Sequence, residues 1–138
     1  MADVVGIDPI YVSVSDLKSS ETFYDRLLVV SLNFCKQCFE LAGESYIQYY
    51  NRDLGFVLRT LPADGQRQPS VSASHHFCLC VDSAAEVYGL SERLNHLGID
   101  ATAARLYPES AADYAATFLE DPDGLRLEIT NFRQEKRA

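Results

Sequence analysis

The chain has 138 residues, 47% apolar and 23% charged, the balance of one soluble globular domain or of two small modules fused around one core. A formal net charge of −8 argues against a nucleic-acid partner or an anionic membrane surface, and no stretch approaches the ~20 apolar residues of a membrane span. The N-terminal MADVVGIDPI has no basic segment followed by a long apolar run, so no secretory signal is read and a cytoplasmic location is expected.

Along residues 7–14, Ile10, Val12 and Val14 alternate with Pro9, Tyr11 and Ser13, the pattern of a strand with one apolar face. Ser15 or Asp16 then caps a predicted helix to about Leu28, with Leu17, Phe23, Tyr24, Leu27 and Leu28 at helical spacing. Short strands are expected at about 32–39, 45–50 and 55–60, with turns at Gly43 and Asn51-Arg52-Asp53. Residues 61–72, LPADGQRQPSVS, have linker composition. Module one is thus placed at about 7–60 and module two at about 74–132.

After the linker the order restarts. A strand is expected at 75–81, HHFCLCV, then a helix capped by Asp82 or Ser83 and closed at Gly98. His96, in its last turn, complements the helix dipole without needing a function. A short strand near 99–103 and a loop at 107–110 lead into YAATFLEDPDGLRLEITN, residues 114–131. That segment reads as a hairpin around Asp121-Pro122-Asp123-Gly124. Proline pre-sets the second position of a type I turn, and Gly124 takes the left-handed position after it. In this register Phe118 faces Glu128, with Ala116 and Tyr114 on the same side, while Leu125, Leu127 and Ile129 point the other way. A carboxylate set mid-strand among aromatics needs a partner. The tail from Arg133 reads as frayed.

The four cysteines form C-x-x-C (Cys35, Cys38) and C-x-C (Cys78, Cys80). Paired thiolates can hold tetrahedral zinc, but neither pair has the flanking glycine turns of a knuckle, so free, half-buried thiols are expected. A disulfide would be out of place in a reducing compartment.

The chain therefore reads as β-α-β-β-β twice. Residues 9–14 align with 76–81, and 55–59 with 124–128. The segments IDPIYVSVSDLKSSETFYDRLL, HHFCLCV and FLEDPDGLRLEITNF together resemble the vicinal oxygen chelate superfamily, which includes glyoxalase I, extradiol dioxygenases, fosfomycin-resistance proteins and bleomycin-binding proteins. The resemblance covers about residues 7–132. It implies an α+β fold of two βαβββ modules whose mixed sheets form a cup, with helices on the outer face and a small-molecule site in the concavity.

The resemblance also implies a divalent ion, Fe, Mn, Ni or Zn, held by one residue of the first and one of the last strand of each module. In module two those positions are His76 and Glu128, the latter also the catalytic candidate. In module one they fall on Pro9 and Arg59, neither of which can bind a metal. Two ligands fall short of the three that a catalytic site needs. Cys78 shares the face of His76, and Tyr11 or Tyr46 could substitute, though each would be a family exception. Arg59 offers Glu128 a bidentate alternative to a metal. Arg59, Tyr114, Tyr46, Gln48 and Phe118 are the substrate-binding candidates. Against them stand a surface arginine, a core tyrosine and ordinary amphipathic packing. Two functions follow: a metal-dependent lyase or dioxygenase with a degraded metal site, or a metal-free, antibiotic-type binding protein. Expected partners are a small molecule and a second copy of the chain.

Overall fold

The structure, a computed structural model, describes residues 1–61 and 76–131. The linker expectation from residue 62 onward, His75 and the tail beyond Asn131 lie outside the described residues. The chain divides into two compact units, Met1–Arg67 and Gln68–Ala138.

The first unit runs β1 (Ile10–Val14), α1 (Leu17–Tyr24), a π-type turn (Asp25–Val30), β2 (Cys35–Leu41), β3 (Glu44–Tyr50) and β4 (Gly55–Thr60). Asp16 caps α1, accepting from the Lys18 amide at 3.2 Å and the Ser19 hydroxyl at 2.6 Å. The predicted helix is continued by wider turns, closed where the Ser31 hydroxyl donates to the Arg26 carbonyl at 2.8 Å. Ala42 and Gly43 have φ of 52° and 79°, the paired positive values of a two-residue hairpin turn, and Leu41 consequently pairs with Glu44. The strand order is β1-β4-β3-β2, with β1 parallel to β4 and the rest antiparallel. Val12, Val14, Ile47, Tyr49, Phe56 and Leu58 are buried with Tyr24, Leu27 and Leu28 of the helical segment. Each such aliphatic side chain contributes roughly 1.5–3 kcal/mol on leaving water.

The second unit repeats the order as β5 (His76–Cys80), α2 (Ala84–His96), β6 (Arg105–Leu106), β7 (Ala115–Glu120) and β8 (Arg126–Thr130). Ser83 and Glu86 form a reciprocal capping box at the start of α2, and Gly98 with φ of 84° ends it. The sheet order is β5-β8-β7-β6, again with one parallel pair, β5 with β8. α2 packs on β7 and β8, burying Val87 and Leu94 with Leu119, Leu127 and Ile129. Each unit is thus the expected βαβββ module, and neither four-stranded sheet closes into a barrel.

Two expectations are corrected. The strand placed at 99–103 is absent there: the segment makes one backbone bond to β7, from the Thr102 amide to the Phe118 carbonyl at 2.9 Å, and ladder pairing is confined to the short β6. The Thr102 hydroxyl accepts from the Phe118 amide at 2.9 Å, and the Thr102 carbonyl is taken by the hydroxyls of Ser91 (2.7 Å) and Thr117 (2.6 Å). The Ala101 carbonyl accepts from the Asn95 amide group at 2.9 Å. Side chains thus occupy backbone groups that a ladder would use. Second, the cysteines are all exposed rather than half-buried, because β2 and β5 are edge strands. Cys35 and Cys38 stand three apart on a strand and face opposite ways, so this C-x-x-C is no zinc knuckle.

Candidate functional site

The β7–β8 hairpin sets the geometry. The Asp121 amide donates to the Leu125 carbonyl and the Gly124 amide to the Asp121 carbonyl, both at 2.9 Å, and Gly124 has φ of 83°. The Asp121 carboxylate accepts from the amides of Asp123 (2.9 Å) and Leu125 (2.8 Å). This three-residue loop fixes the expected register, with Phe118 opposite Glu128. On the other side of β8, Cys78 is the parallel partner of Glu128, and His76 that of Arg126.

Glu128 is 5% exposed. Its carboxylate accepts a hydrogen bond from the Tyr114 hydroxyl and is hydrogen-bonded to the Cys78 thiol. Among the described residues of its own unit, no lysine or arginine pairs with it. Arg126, on the same face, instead lays its guanidinium over the Phe118 ring, 4.8 Å from the centroid. Burial, reinforced by the hydrogen bond to Glu128, pushes the Tyr114 hydroxyl up to about 12. Cys78 is exposed as a residue, yet its sulfur lies against the carboxylate, and desolvation with the Glu128 charge pushes the thiol up to about 11. Within these contacts the buried carboxylate has hydroxyl and thiol partners and no cationic one.

One donor atom each from His76, Cys78 and Glu128 lies within 4.8 Å of the other two. A tetrahedral ion with bonds of about 2.0–2.3 Å wants its donors roughly 3.5 Å apart. His76 and Cys78 are exposed, so their side chains have room to turn toward Glu128, and the types of the three donors suit a divalent ion. Tyr107 packs edge-on to both Tyr114 (6.5 Å) and Phe118 (5.8 Å), completing an aromatic wall beside the carboxylate. The sequence places Tyr107 in a loop, and its position before Pro108 signals a turn but not an orientation. A hollow of about 450 Å³ adjoins Phe118 and Arg126 without reaching the three donors.

The remaining sequence candidates lie together on the first unit's sheet. Tyr46 pairs with Arg59 in register, and Gln48 with Val57. Arg59 has an ion partner in Glu44 at 3.6 Å and lies 5.9 Å from the Tyr46 ring centre. Its Nε is buried without a hydrogen-bond partner. The Tyr46 hydroxyl donates to Glu44 at 3.1 Å, its ring stacks on Phe39 at 5.1 Å, and Gln48 accepts from Gln37 at 2.6 Å.

The registers overturn one alignment. Tyr11 and Cys78 each stand five residues before their helix cap, Asp16 and Ser83. Cys78 pairs with Glu128, but Tyr11 pairs with Val57. The first-unit counterpart of Glu128 is therefore Val57, not Arg59. Valine has no donor, so the first unit still lacks ligands at Pro9 and at this position.

The model of the Glyoxalase/Bleomycin resistance protein/Dioxygenase superfamily matches residues 6–129. The chain belongs to that superfamily. No curated protein matches the sequence. Among solved structures, a glyoxylase/bleomycin resistance protein/dioxygenase domain from Frankia sp. EAN1pec is similar at TM-score 0.69 and 20% identity, over 97% of this chain and 94% of that one. Lactoylglutathione lyase from Agrobacterium tumefaciens gives TM-score 0.68 and 18% identity over 94% and 95%. The fosfomycin resistance protein FosX from Listeria monocytogenes gives 0.70 and 18% over 99% and 100%, and has also been solved complexed with Mn(II) and sulfate. At these identities the likeness is one of fold. Among the described residues, no helix is long and apolar enough to cross a membrane.

Proposed function

We propose that the chain is a metal-assisted member of its superfamily, a lyase or dioxygenase acting on a small oxygen-bearing molecule, with His76 and Glu128 holding a divalent ion, Fe, Mn, Ni or Zn. The observation that carries this is the buried Glu128 carboxylate, which has hydroxyl and thiol partners and no cationic one within these contacts, and has His76 and Cys78 converging on it. A charge so placed is offset by a cation. When bound, the ion would act as a Lewis acid on substrate oxygens. The chain's own residues then divide the work. Glu128 stands at the reacting centre, Tyr114 fixes one of its oxygens, and Phe118 supplies an apolar wall. The Mn(II) complex of the Listeria relative supports an ion on this fold. The proposal includes a cytoplasmic homodimer, which light scattering of the purified protein tests.

A second reading is favoured by the first unit, where Arg59 holds a buried, unsatisfied Nε beside Tyr46 and Gln48. There the chain is a metal-free binder, with Arg59 taking an anionic ligand.

Elemental analysis separates the two. Stoichiometric metal that disappears in Glu128→Ala supports the enzyme and sinks the metal-free binder. No retained metal even after dialysis against excess ion overturns the enzyme.

A further inference from the structure

We infer that Cys78 is the third protein ligand, which makes this a thiolate-containing site selective for zinc over manganese. The inference rests on the reading that the second unit holds a divalent ion, and adds which ion and by which atom. Ligand number comes first. His76 and Glu128 leave a catalytic site one ligand short, and the first unit offers Pro9 and Val57 at the corresponding positions, neither with a donor.

Geometry supplies the third. Cys78 is the direct cross-strand partner of Glu128, so both side chains rise from the same face without any backbone change. Its sulfur, a His76 nitrogen and a Glu128 oxygen lie within 4.8 Å of one another. Among the described residues, no other three His, Cys, Asp or Glu side chains converge this way. Tyr114 is turned to the carboxylate as a hydrogen-bond donor, which positions Glu128 rather than competing for an ion. Three protein ligands leave the fourth tetrahedral position open for water or substrate.

Donor type then sets the selectivity. Carboxylate and water suit Mg and Mn, whereas a soft thiolate beside an imidazole suits Zn, and zinc stands above manganese in the intrinsic affinity order. A His-Cys-Glu set is thus a zinc-type site on a fold whose Listeria relative is seen with Mn(II).

The test is metal binding on the full-length protein, read by isothermal titration with Zn(II) and Mn(II) and by absorption with Co(II) as zinc's spectroscopic stand-in. Cys35, Cys38 and Cys80 are also exposed, so they are changed to serine, leaving Cys78 as the sole thiol. Expected are 1:1 binding, zinc preferred over manganese, and a sulfur-to-cobalt charge-transfer band. Cys78→Ser, made in the native background too, should abolish the band. It should also weaken zinc by at least the roughly 10- to 100-fold that even outer-shell changes cost, and leave manganese nearly unchanged. If an ion binds 1:1 and depends on Glu128, but with no band and no effect of Cys78→Ser, the thiolate inference is overturned and the metal site stands. Failure of Zn(II), Mn(II) and Co(II) alike to bind overturns both.

Discussion

Tyr114→Phe in the metal-free protein isolates how the buried carboxylate is held. The substitution removes one hydroxyl that donates to Glu128 and accepts from Thr130, and leaves the ring in place. A hydrogen bond to a charged group is worth about 1.5–3 kcal/mol, and the half-buried setting of Tyr114 points to the lower end, about 1.5–2 kcal/mol. An unfolding entropy of about 2.1 cal/mol/K per residue over 138 residues makes this a fall in Tm of roughly 5–7 °C. The same change in a Glu128→Gln background deletes only a neutral bond, at about 0.5–1.5 kcal/mol. The Thr130 contact is lost in both backgrounds and cancels, so the difference measures the charge. Urea and thermal unfolding followed by circular dichroism with chelator present give all four corners of the cycle. A Tyr114→Phe cost that is the same in both backgrounds, within about 0.5 kcal/mol, would refute the view that Tyr114 holds a buried charge.

Asp121→Ala strips the acceptor from the Asp123 and Leu125 amides, the latter buried, and should cost about 2–4 kcal/mol, while Asp121→Asn keeps an acceptor and should cost under about 1 kcal/mol. Equal losses in urea midpoints would show that charge, not the acceptor, sets the hairpin. Burial pulls on the Lys36 ammonium, but Glu21 at 2.6 Å and Asp25 at 2.9 Å outweigh it and hold its pKa above 10.5. Its contribution is therefore present in full below the ordinary lysine value and is lost as pH rises through the folded one. Lys36→Met should remove part of the alkaline loss of stability; an unchanged alkaline profile would mean that Lys36 does not cause it.

The hairpin was legible in the sequence because three local signals agree there. Alternation assigns the faces, Pro122 and Gly124 specify the turn, and the turn fixes the register. Capped helices and βαβββ order were legible for the same reason. The segment at 99–103 was not. Its apolar alternation resembles a strand, but hydroxyls and an amide from α2 and β7, distant in sequence, take its Ala101 and Thr102 carbonyls. Nothing in the segment itself announces such competitors. Cys78 was visible as sharing the face of His76; its place opposite Glu128 follows only from parallel pairing between strands some 50 residues apart in sequence.

The misplacement of Arg59 has a more particular cause. Gly55 and Gly124 look like the same residue of a repeated strand, yet they do different jobs. Gly124 sits in the loop with φ of 83°, before β8 begins at Arg126. Gly55 is the first residue of β4, without a positive φ, and a Cβ there would meet only the movable end of the exposed Asp8 side chain, at 2.6 Å. Matching the glycines slides β4 by two residues against β8. A slip of two preserves the face, so Arg59 still stands with Tyr46 on the side away from Leu58, as the alternation requires. What changes is the meaning of the departure from the family pattern. The first unit has not exchanged a carboxylate for a cation; it has a valine where the carboxylate would be. Arg59 is then free of any role inherited from the ligand position, and Cys78 is left as the residue that supplies the missing donor.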